Sequence, residues 1–481
     1  MNRKNIFSSL LWRFGERLTA QAVTLIVSIV LARLLSPSDY GLLSMVMIFI
    51  TFSEVLINNG FGTALIQKKN ADDIDFSTVF YFQILFSIAI YILLFVASPY
   101  IGIFYGNKQI VPVLKLLGLR LIISAVNNVQ HAYVSKHMLF RKFFWSTLFG
   151  TLLSAVVGIT MAYKGFGVWA LVGQYLTNSI VDMIVIFITI PWKPKAMFSF
   201  KRLSSMLSYS WKILINAIFD TLYSQIRALV IGKKYSSEDL AYYNKGQQFP
   251  TIIENNINMS VESVLFPAIS DIQDEHEKVK RLMRMSIKTS SYVMCPLLIG
   301  LAVISKPFVE LVLTEKWLPC VPYMQIYCIV LMFNPIHTSN IQAIKAIGRS
   351  DIVLKINMVN KVFGIIALLL SYNYGPLYIA YSLLATTVIG VVVNTFPNKK
   401  LMGYGFLQQI SDIAPGIFLS LVMAVPTILL GRLSFQPFIQ IILQILLGGV
   451  IYIMVSAISK NESFLLVYGI LKGATHKIIK K

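Results

Sequence analysis

Acidic residues are scarce in this chain. Aspartate and glutamate total 21 against 42 lysines and arginines, and the four types make up only 13% of 481 residues. So little charge cannot solvate a soluble globular protein of this length, and a 56% hydrophobic content with mean hydropathy +0.70 places the chain outside that class. Cysteine is nearly missing: Cys295, Cys320 and Cys328 have neither metal-ligand spacing nor a disulfide framework and read as apolar filler. No nucleophile, metal or nucleotide motif stands out, so neither catalysis nor a cofactor is expected. The opening MNRKNIFSSLLWRFGERLTAQ lacks a small-residue cleavage site, and a retained signal-anchor helix is expected there.

What the chain has instead is long apolar runs. Segments able to span a hydrocarbon core of roughly 30 Å fall at about 9–34, 40–66, 76–104, 110–135, 142–163 and 166–190. They recur at about 205–231, 238–267, 286–314, 320–344, 353–371 and 376–395, with two more at about 411–430 and 437–457. The expected fold is an all-α polytopic membrane protein of about fourteen transmembrane helices, six plus six plus two. Residues 1–195 would form an N-terminal six-helix lobe, 196–400 a second lobe repeating it at an offset of about 200, and 401–481 two extra helices and a basic tail. An even number of helices per repeat sets both copies the same way up, the parallel kind of duplication.

The repeat rests on residues. Val30, Ser36, Asp39, Thr51, Glu54, Ile57, Asn58 and Leu65 recur without a gap as Val230, Ser236, Asp239, Thr251, Glu254, Ile257, Asn258 and Leu265. Matching Ser-x-x-Asp turns and Thr-x-x-Glu positions at one offset favour duplication over chance. The second copy is far more polar, carrying Asn244, Lys245, Gln247, Gln248, Glu254, Asn255, Asn256, Asn258, Ser260 and Glu262. If it crosses the bilayer it must line water or pack inside protein.

Basic residues gather in alternate loops. Lys68 and Lys69, Lys136 with Arg141 and Lys142, Lys193 to Arg202, Lys278 to Lys288, Lys345 with Arg349, Lys399 with Lys400, and the tail hold most of them. The intervening loops hold few, with Lys233 and Lys234 as the main exception. The positive-inside rule then makes both termini cytoplasmic. Nucleic acid is not an expected partner, because these cations flank helices as pairs and triplets rather than forming one basic face.

Charged faces within the spans supply the candidate site. Arg13, Glu16, Arg17 and Gln21 share one face of the first predicted helix, which either points into a central cleft or is an amphipathic entry at the interface. Thr51, Glu54 and Asn58 share a face of the second, and a mid-span acid needs a partner, for which Arg13 or Arg17 is the natural choice. A purely structural ion pair is the alternative. Lys212, Asn216, Asp220, Ser224 and Arg227 form one stripe on the seventh. The fourth carries Arg120, Asn127, Asn128, Gln130 and His131, and the tenth Asn334, His337, Asn340 and Gln342. His131 reads as hydrogen-bonded packing before proton carrier. Residues 192–202 have the prolines and lysines of an inter-lobe linker, and 271–288 read as a charged amphipathic connector on lipid headgroups. Trp317 suits an interfacial belt, Pro319 or Pro322 a helix start, and the last two helices look peripheral, flanking a lipid-facing groove.

Three stretches, LARLLSPSDYGLLSM, GFGTALIQKKNADDIDFSTVFYF and VLFPAISDIQDEHEKVKRLMRMS, with the later turn EKWLPCVPYMQI, resemble the Wzx-type (WzxC-like) polysaccharide flippases of the multidrug/oligosaccharidyl-lipid/polysaccharide exporter superfamily. The resemblance implies a V-shaped pair of six-helix lobes in a bacterial inner membrane. Its substrate would be undecaprenyl-pyrophosphate-linked glycan, moved to the outer leaflet by alternating access for O-antigen, capsule or exopolysaccharide synthesis. Cavity charges differ between branches of this superfamily, so the site residues come from the faces above. Arg13, Arg17, Arg227 and Lys245 would bind pyrophosphate, since guanidinium forks match phosphate oxygens. Gln21, Asn58, Gln247, Gln248, Asn255 and Asn258 would bind sugar hydroxyls. Glu16, Glu54, Asp220 and Glu254 would balance charge or cycle with a proton or sodium ion. Membrane lipids and a polysaccharide polymerase machinery complete the candidate partners. A cation-coupled multidrug exporter of the same superfamily is the nearest rival, with a more aromatic and acidic pocket. A membrane glycosyltransferase or polymerase is less well supported, since no predicted outer loop exceeds about a dozen residues.

Overall fold

The computed structural model describes residues 3–58, 60–433, 435–466 and 469, with the backbone alone for 3–14, 16–18 and 209. Every regular element among them is helical. Helices α1 (Arg3–Leu34), α2 (Pro37–Asn58), the short α3 (Phe61–Gln67), α4 (Asp73–Tyr105), α5 (Ile110–Leu117), α6 (Leu119–His137), α7 (Phe140–Tyr163) and α8 (Val168–Thr189) come first. Then follow α9 (Phe200–Lys234), α10 (Ser237–Ser270), α11 (His276–Leu313), a 3-10 turn (Glu315–Cys320), α12 (Val321–Leu331), α13 (Asn334–Ala346), α14 (Ser350–Ser371) and α15 (Pro376–Met402). Helices α16 (Phe406–Leu430) and α17 (Pro437–Ile458) close the order.

Local chemistry sets the helix ends. Ser36 and Asp39 form a reciprocal cap at the start of α2: the Ser36 amide and hydroxyl donate to Asp39 Oδ2 (3.1 and 2.6 Å) and the Asp39 amide donates to Ser36 Oγ (3.2 Å). Ser236 and Asp239 repeat it at α10, with the corresponding distances 3.2, 2.7 and 3.0 Å. Prolines open α12, α13, α15 and α17, where the missing N–H costs nothing. Pro322 is the one that starts a helix after the 3-10 turn, and Pro319 lies within that turn.

Among the described residues, eleven helices or helix runs are long and apolar enough to cross a membrane, or twelve when α12 and α13, bent by 41°, count as one span. The fourteen expected from the sequence include two that fail this measure for identifiable reasons. Of α1 only Thr19–Leu34 has an unbroken run of described side chains, and that run is too short for the measure. The 34 residues of α10 are long enough, about 50 Å at 1.5 Å per residue, but too polar. The run 110–137 breaks at Gly118 between α5 and α6, as the second run breaks between α12 and α13.

The chain forms two compact units, Met1–Ala241 and Tyr242–Lys481. In the first, α7 packs against α1 and α8, α4 against α6, and α9 against α2, α3 and α4. Phe61, Leu65, Phe76, Phe80, Val129, Val134 and Ile186 build one of its apolar clusters with Trp192, Leu203 and Met206. The segment 192–202 is therefore no loose connector. Trp192 is buried 5.5 Å from the Phe76 ring, the Lys195 and Ser199 amides donate to Ser77 Oγ (3.0 Å) and Thr78 Oγ1 (3.1 Å), and Lys195 Nζ reaches Asp73 at 2.5 Å. Arg202 pairs with Asp72 and, at 3.1 Å, with the fully buried Asp75, which Lys68 also meets at 2.7 Å.

Helix α2 and the first residue of α10 approach so closely that a side chain on Gly41 would begin 1.8 Å from the Ser237 carbonyl oxygen. Only glycine permits that contact.

In the second unit α11 packs against α12, α16 and α17, and α14 against α15. The charged connector read at 271–288 is largely the start of α11, one unbroken helix of 38 residues. Trp317 does not sit in an interfacial belt. The 3-10 turn folds it inward to 0% exposure, 6.0 Å from the Tyr242 ring. Nor is α16 peripheral: its buried Asp412 accepts both Nε and Nη2 of Arg284 at 2.9 Å and the Tyr404 hydroxyl at 2.7 Å, with Lys288 at 3.6 Å. One acid amid an apolar run is enough to tie α16 to α11.

Candidate functional site

The polar positions on α2 and α10 set the geometry. On α2, Glu54 and Asn58 lie one turn apart and face α6. Glu54 Oε1 meets Arg120 Nε at 3.3 Å, and the Asn58 amide donates to Ser124 Oγ at 2.8 Å. The guanidinium of Arg120 lies 5.4 Å from the Tyr175 ring centre, which spreads its charge over a π face. Among the described side chains the partner of Glu54 is Arg120, because α6 lies beside α2 in the first unit. The side chains of Arg13, Glu16 and Arg17 lie outside the described residues, and Gln21 on α1 is half-buried.

On α9, Asp220 is exposed and accepts from the Asn216 amide at 3.3 Å. Arg227, two turns on, is 7% exposed with its guanidinium 5.5 Å from the Tyr223 ring.

The second unit holds the rest. Lys245 is 5% exposed, donates to Gln248 Oε1 at 3.0 Å and sits 5.6 Å from the Trp317 ring. Gln247 and Gln248 are half-buried and Asn255 is exposed. Glu254 and Asn258, each 9% exposed, are joined by a hydrogen bond from the Asn258 amide to Glu254 Oε1, and Asn334 Nδ2 donates to that oxygen at 2.7 Å. Of the residues singled out in the sequence, the described contacts join Glu54 to Arg120, Asn216 to Asp220, Lys245 to Gln248, and Glu254 to both Asn258 and Asn334.

Ser124 and Tyr175 were not singled out in the sequence, and Arg120 and Asn334 were named there without the acids they meet. Arg120 and Asn334 open the second half of each broken span, and a lone polar side chain just past the break was the available clue. The same helices carry a second polar layer. Asp182 on α8 accepts from the Asn127 amide at 3.1 Å and lies 3.2 Å from His131 Nε2, while His337 Nδ1 lies 2.7 Å from the Asn394 amide on α15. His131 is thus a partnered side chain within the first unit.

Helices α11, α16 and α17 flank an apolar cavity of about 430 Å³, with Pro296, Leu297, Gly300, Met423 and Ile453 in its walls.

Comparison with known proteins gives this arrangement a family. The lipopolysaccharide biosynthesis protein WzxC of Escherichia coli strain K12 is 24% identical over 433 residues, covering 87% of each chain. Among solved structures, the lipid II flippase MurJ in an inward closed conformation matches at TM-score 0.76 and 18% identity, covering 93% of this chain and 98% of that one. An inward-facing multidrug resistance transporter of the MATE family matches less well, at TM-score 0.59 and 13% identity over 84% of this chain and 98% of that one. The fold is therefore the one seen in the solved MurJ flippase and MATE transporter. Residues 30–322 match the model of the polysaccharide biosynthesis protein family, and the chain belongs to that family.

Proposed function

We propose that this protein is a flippase that carries undecaprenyl-pyrophosphate-linked oligosaccharide across a bacterial inner membrane by alternating access, for the synthesis of a surface polysaccharide. The observation that carries the reading is α10: a 34-residue helix bearing Lys245, Gln247, Gln248, Glu254, Asn255 and Asn258 in a chain otherwise built of apolar spans. A spanning helix of that composition needs water or a polar cargo along it. A glycan headgroup is such a cargo, with hydroxyls for amides to bind and a pyrophosphate for cations.

Arg227 and Lys245 are the described cations best suited to the pyrophosphate. Each rests against an aromatic ring, so meeting an anion means swinging from the ring to phosphate oxygens, an exchange of a weak contact for a charge-assisted one. Arg13 and Arg17 join them in the proposal, with Gln21, Asn58, Gln247, Gln248, Asn255 and Asn258 for sugar hydroxyls and Glu16, Glu54, Asp220 and Glu254 balancing charge. The apolar cavity beside α16 and α17 has walls suited to hydrocarbon rather than sugar. Both termini are assigned to the cytoplasm by the basic loops, the lobes to 1–195 and 196–400 by the sequence repeat, and a polymerase machinery is a natural recipient of the product.

The test is repeat-unit export in cells carrying Arg227→Ala or Lys245→Ala. Export is expected to fall about tenfold or more, the loss of one charge-assisted contact, while membrane levels hold and the lipid-linked precursor accumulates. Undiminished export from both variants would remove the phosphate assignment. Altered drug susceptibility with normal export would favour the multidrug reading.

A further inference from the structure

The two copies of the repeat end their polar helices differently. In the first unit α2 stops at Asn58, and Gly60, at φ +97°, turns the chain into the short α3. In the second unit α10 runs on without a break to Ser270. The added length also changes in chemistry: Val55, Leu56 and Gly62 of the first copy correspond, at the common offset, to Asn255, Asn256 and Glu262.

Continuity puts these positions in register. Asn255, Met259 and Glu262 stand at i, i+4 and i+7 on one exposed stripe about 10 Å long, while the buried Glu254 and Asn258 belong to the packed side of the helix. Beside the stripe, the Asn256 amide donates to the Ile252 carbonyl at 2.7 Å. The Ser260 and Ser263 hydroxyls donate to the Asn256 and Ser260 carbonyls at 2.9 and 2.8 Å. Asn255 and Glu262 have no hydrogen-bond or ion-pair partner among the described residues and remain available.

No cation offsets the carboxylate of Glu262. Between Lys245 and Lys278 the sequence contains no lysine or arginine. The titratable groups within electrostatic reach of Glu262 are Glu254, which is another acid, and His337, which is bound to Asn394. An exposed carboxylate in such surroundings accepts hydroxyl donors and repels a second anion.

We propose that Glu262 decides the charge of the cargo: with Asn255 it binds the hydroxyls of an uncharged sugar, and it turns away a sugar that carries a carboxylate. The proposal rests on the flippase reading, in which Lys245 meets the pyrophosphate, and names the class of glycan carried. From Lys245 to Glu262 the helix rises about 26 Å. The sugar that Glu262 meets therefore stands well away from the pyrophosphate.

The test measures binding to the full-length protein in lipid nanodiscs. The probes are a pair of isoprenoid-pyrophosphate oligosaccharides that differ only in the sugar farthest from the lipid, a hexose in one and a hexuronic acid in the other. Wild type is expected to bind the hexose form about tenfold more tightly, the effect of one like-charge repulsion partly screened by water. Glu262→Gln should bring the pair within about twofold, and Glu262→Lys should reverse the order. Glu262 is exposed, so both variants are expected to melt as wild type does. Equal binding of the pair by wild type would overturn the proposal and leave the flippase reading standing, as would a preference that Glu262→Gln leaves intact. A wild type that binds neither probe would remove the flippase reading and the proposal with it.

Discussion

Glu54 and Arg120 show what a single pair contributes. Each side chain is only about a fifth to a quarter exposed, so removing one partner strands the other in a poorly solvated place. Glu54→Ala is expected to destabilise the first unit by about 3 kcal/mol, read as a lower melting temperature in detergent, and the double variant Glu54→Gln with Arg120→Gln should recover much of that loss. Trp317 is a comparable case without a full charge pair. Fully buried over Lys245 and Tyr242, it should cost about 3–5 kcal/mol on replacement by Ala. The need of Glu54 for a cation was legible in the sequence, because a mid-span acid is costly alone. The identity of the cation was not, because hydrophobic periodicity does not say which helices are neighbours, and α6 lies 66 residues away along the chain from Asn58 to Ser124. Trp317 was misplaced for a related reason: a tryptophan at a span end looks the same whether its ring turns outward or inward.

Helix ends and straps follow from similar local chemistry. The start of α4 gathers Asp72, Asp73 and Asp75 against Lys68, Lys195 and Arg202. Partial burial pushes the Asp72 carboxyl up, but the Asp75 amide and the Arg202 guanidinium outweigh it and hold the group below the usual range. Because the folded value is depressed, its stabilisation is present above the ordinary aspartate pKa of about 4 and is lost as pH falls through the folded value. Arg202→Gln is therefore expected to shift the acid side of the melting-temperature profile to higher pH, with little change near neutrality in the position of its maximum. The strap at 192–202 was visible as a segment and misread as a tether, since Pro and Lys suit a free linker and a docked one equally; the serine and threonine hydroxyls at 77 and 78 that receive its amides lie far away in sequence. Gly41 carries a sharper expectation. Gly41→Val puts carbon into the Ser237 carbonyl, and overpacking against backbone is expected to cost about 1–3 kcal/mol or to part α2 from the start of α10, seen as faster proteolysis of the turn at 235–236.

For the whole chain, an all-helical membrane protein of long apolar spans was readable from hydropathy, and the like helix starts at Ser36 and Ser236 were readable from the matching Ser-x-x-Asp turns. The count of spans was only partly readable, because α10 is long enough but polar, and hydropathy cannot tell a wet crossing from none. Labelling resolves it. Cys295, Cys320 and Cys328 are all buried, which leaves a low background for single-cysteine reporters. Ser236→Cys is expected to react with an impermeant maleimide from outside and Asp274→Cys only after the membrane is opened. Equal reaction from one side would take α10 out of the bilayer and remove the basis of the transport assignment.

Arg284 sits on α11, yet its carboxylate, Asp412, comes from α16, more than a hundred residues on. Removing residues 406–481 would therefore orphan a guanidinium along with Lys288, and such a truncated chain should accumulate poorly even though α1–α15 remain whole. Aligned relatives offer the same relation as a forecast: an arginine at the position of Arg284 predicts an added helix bearing an acid, and a chain without that helix should have exchanged the arginine for something uncharged.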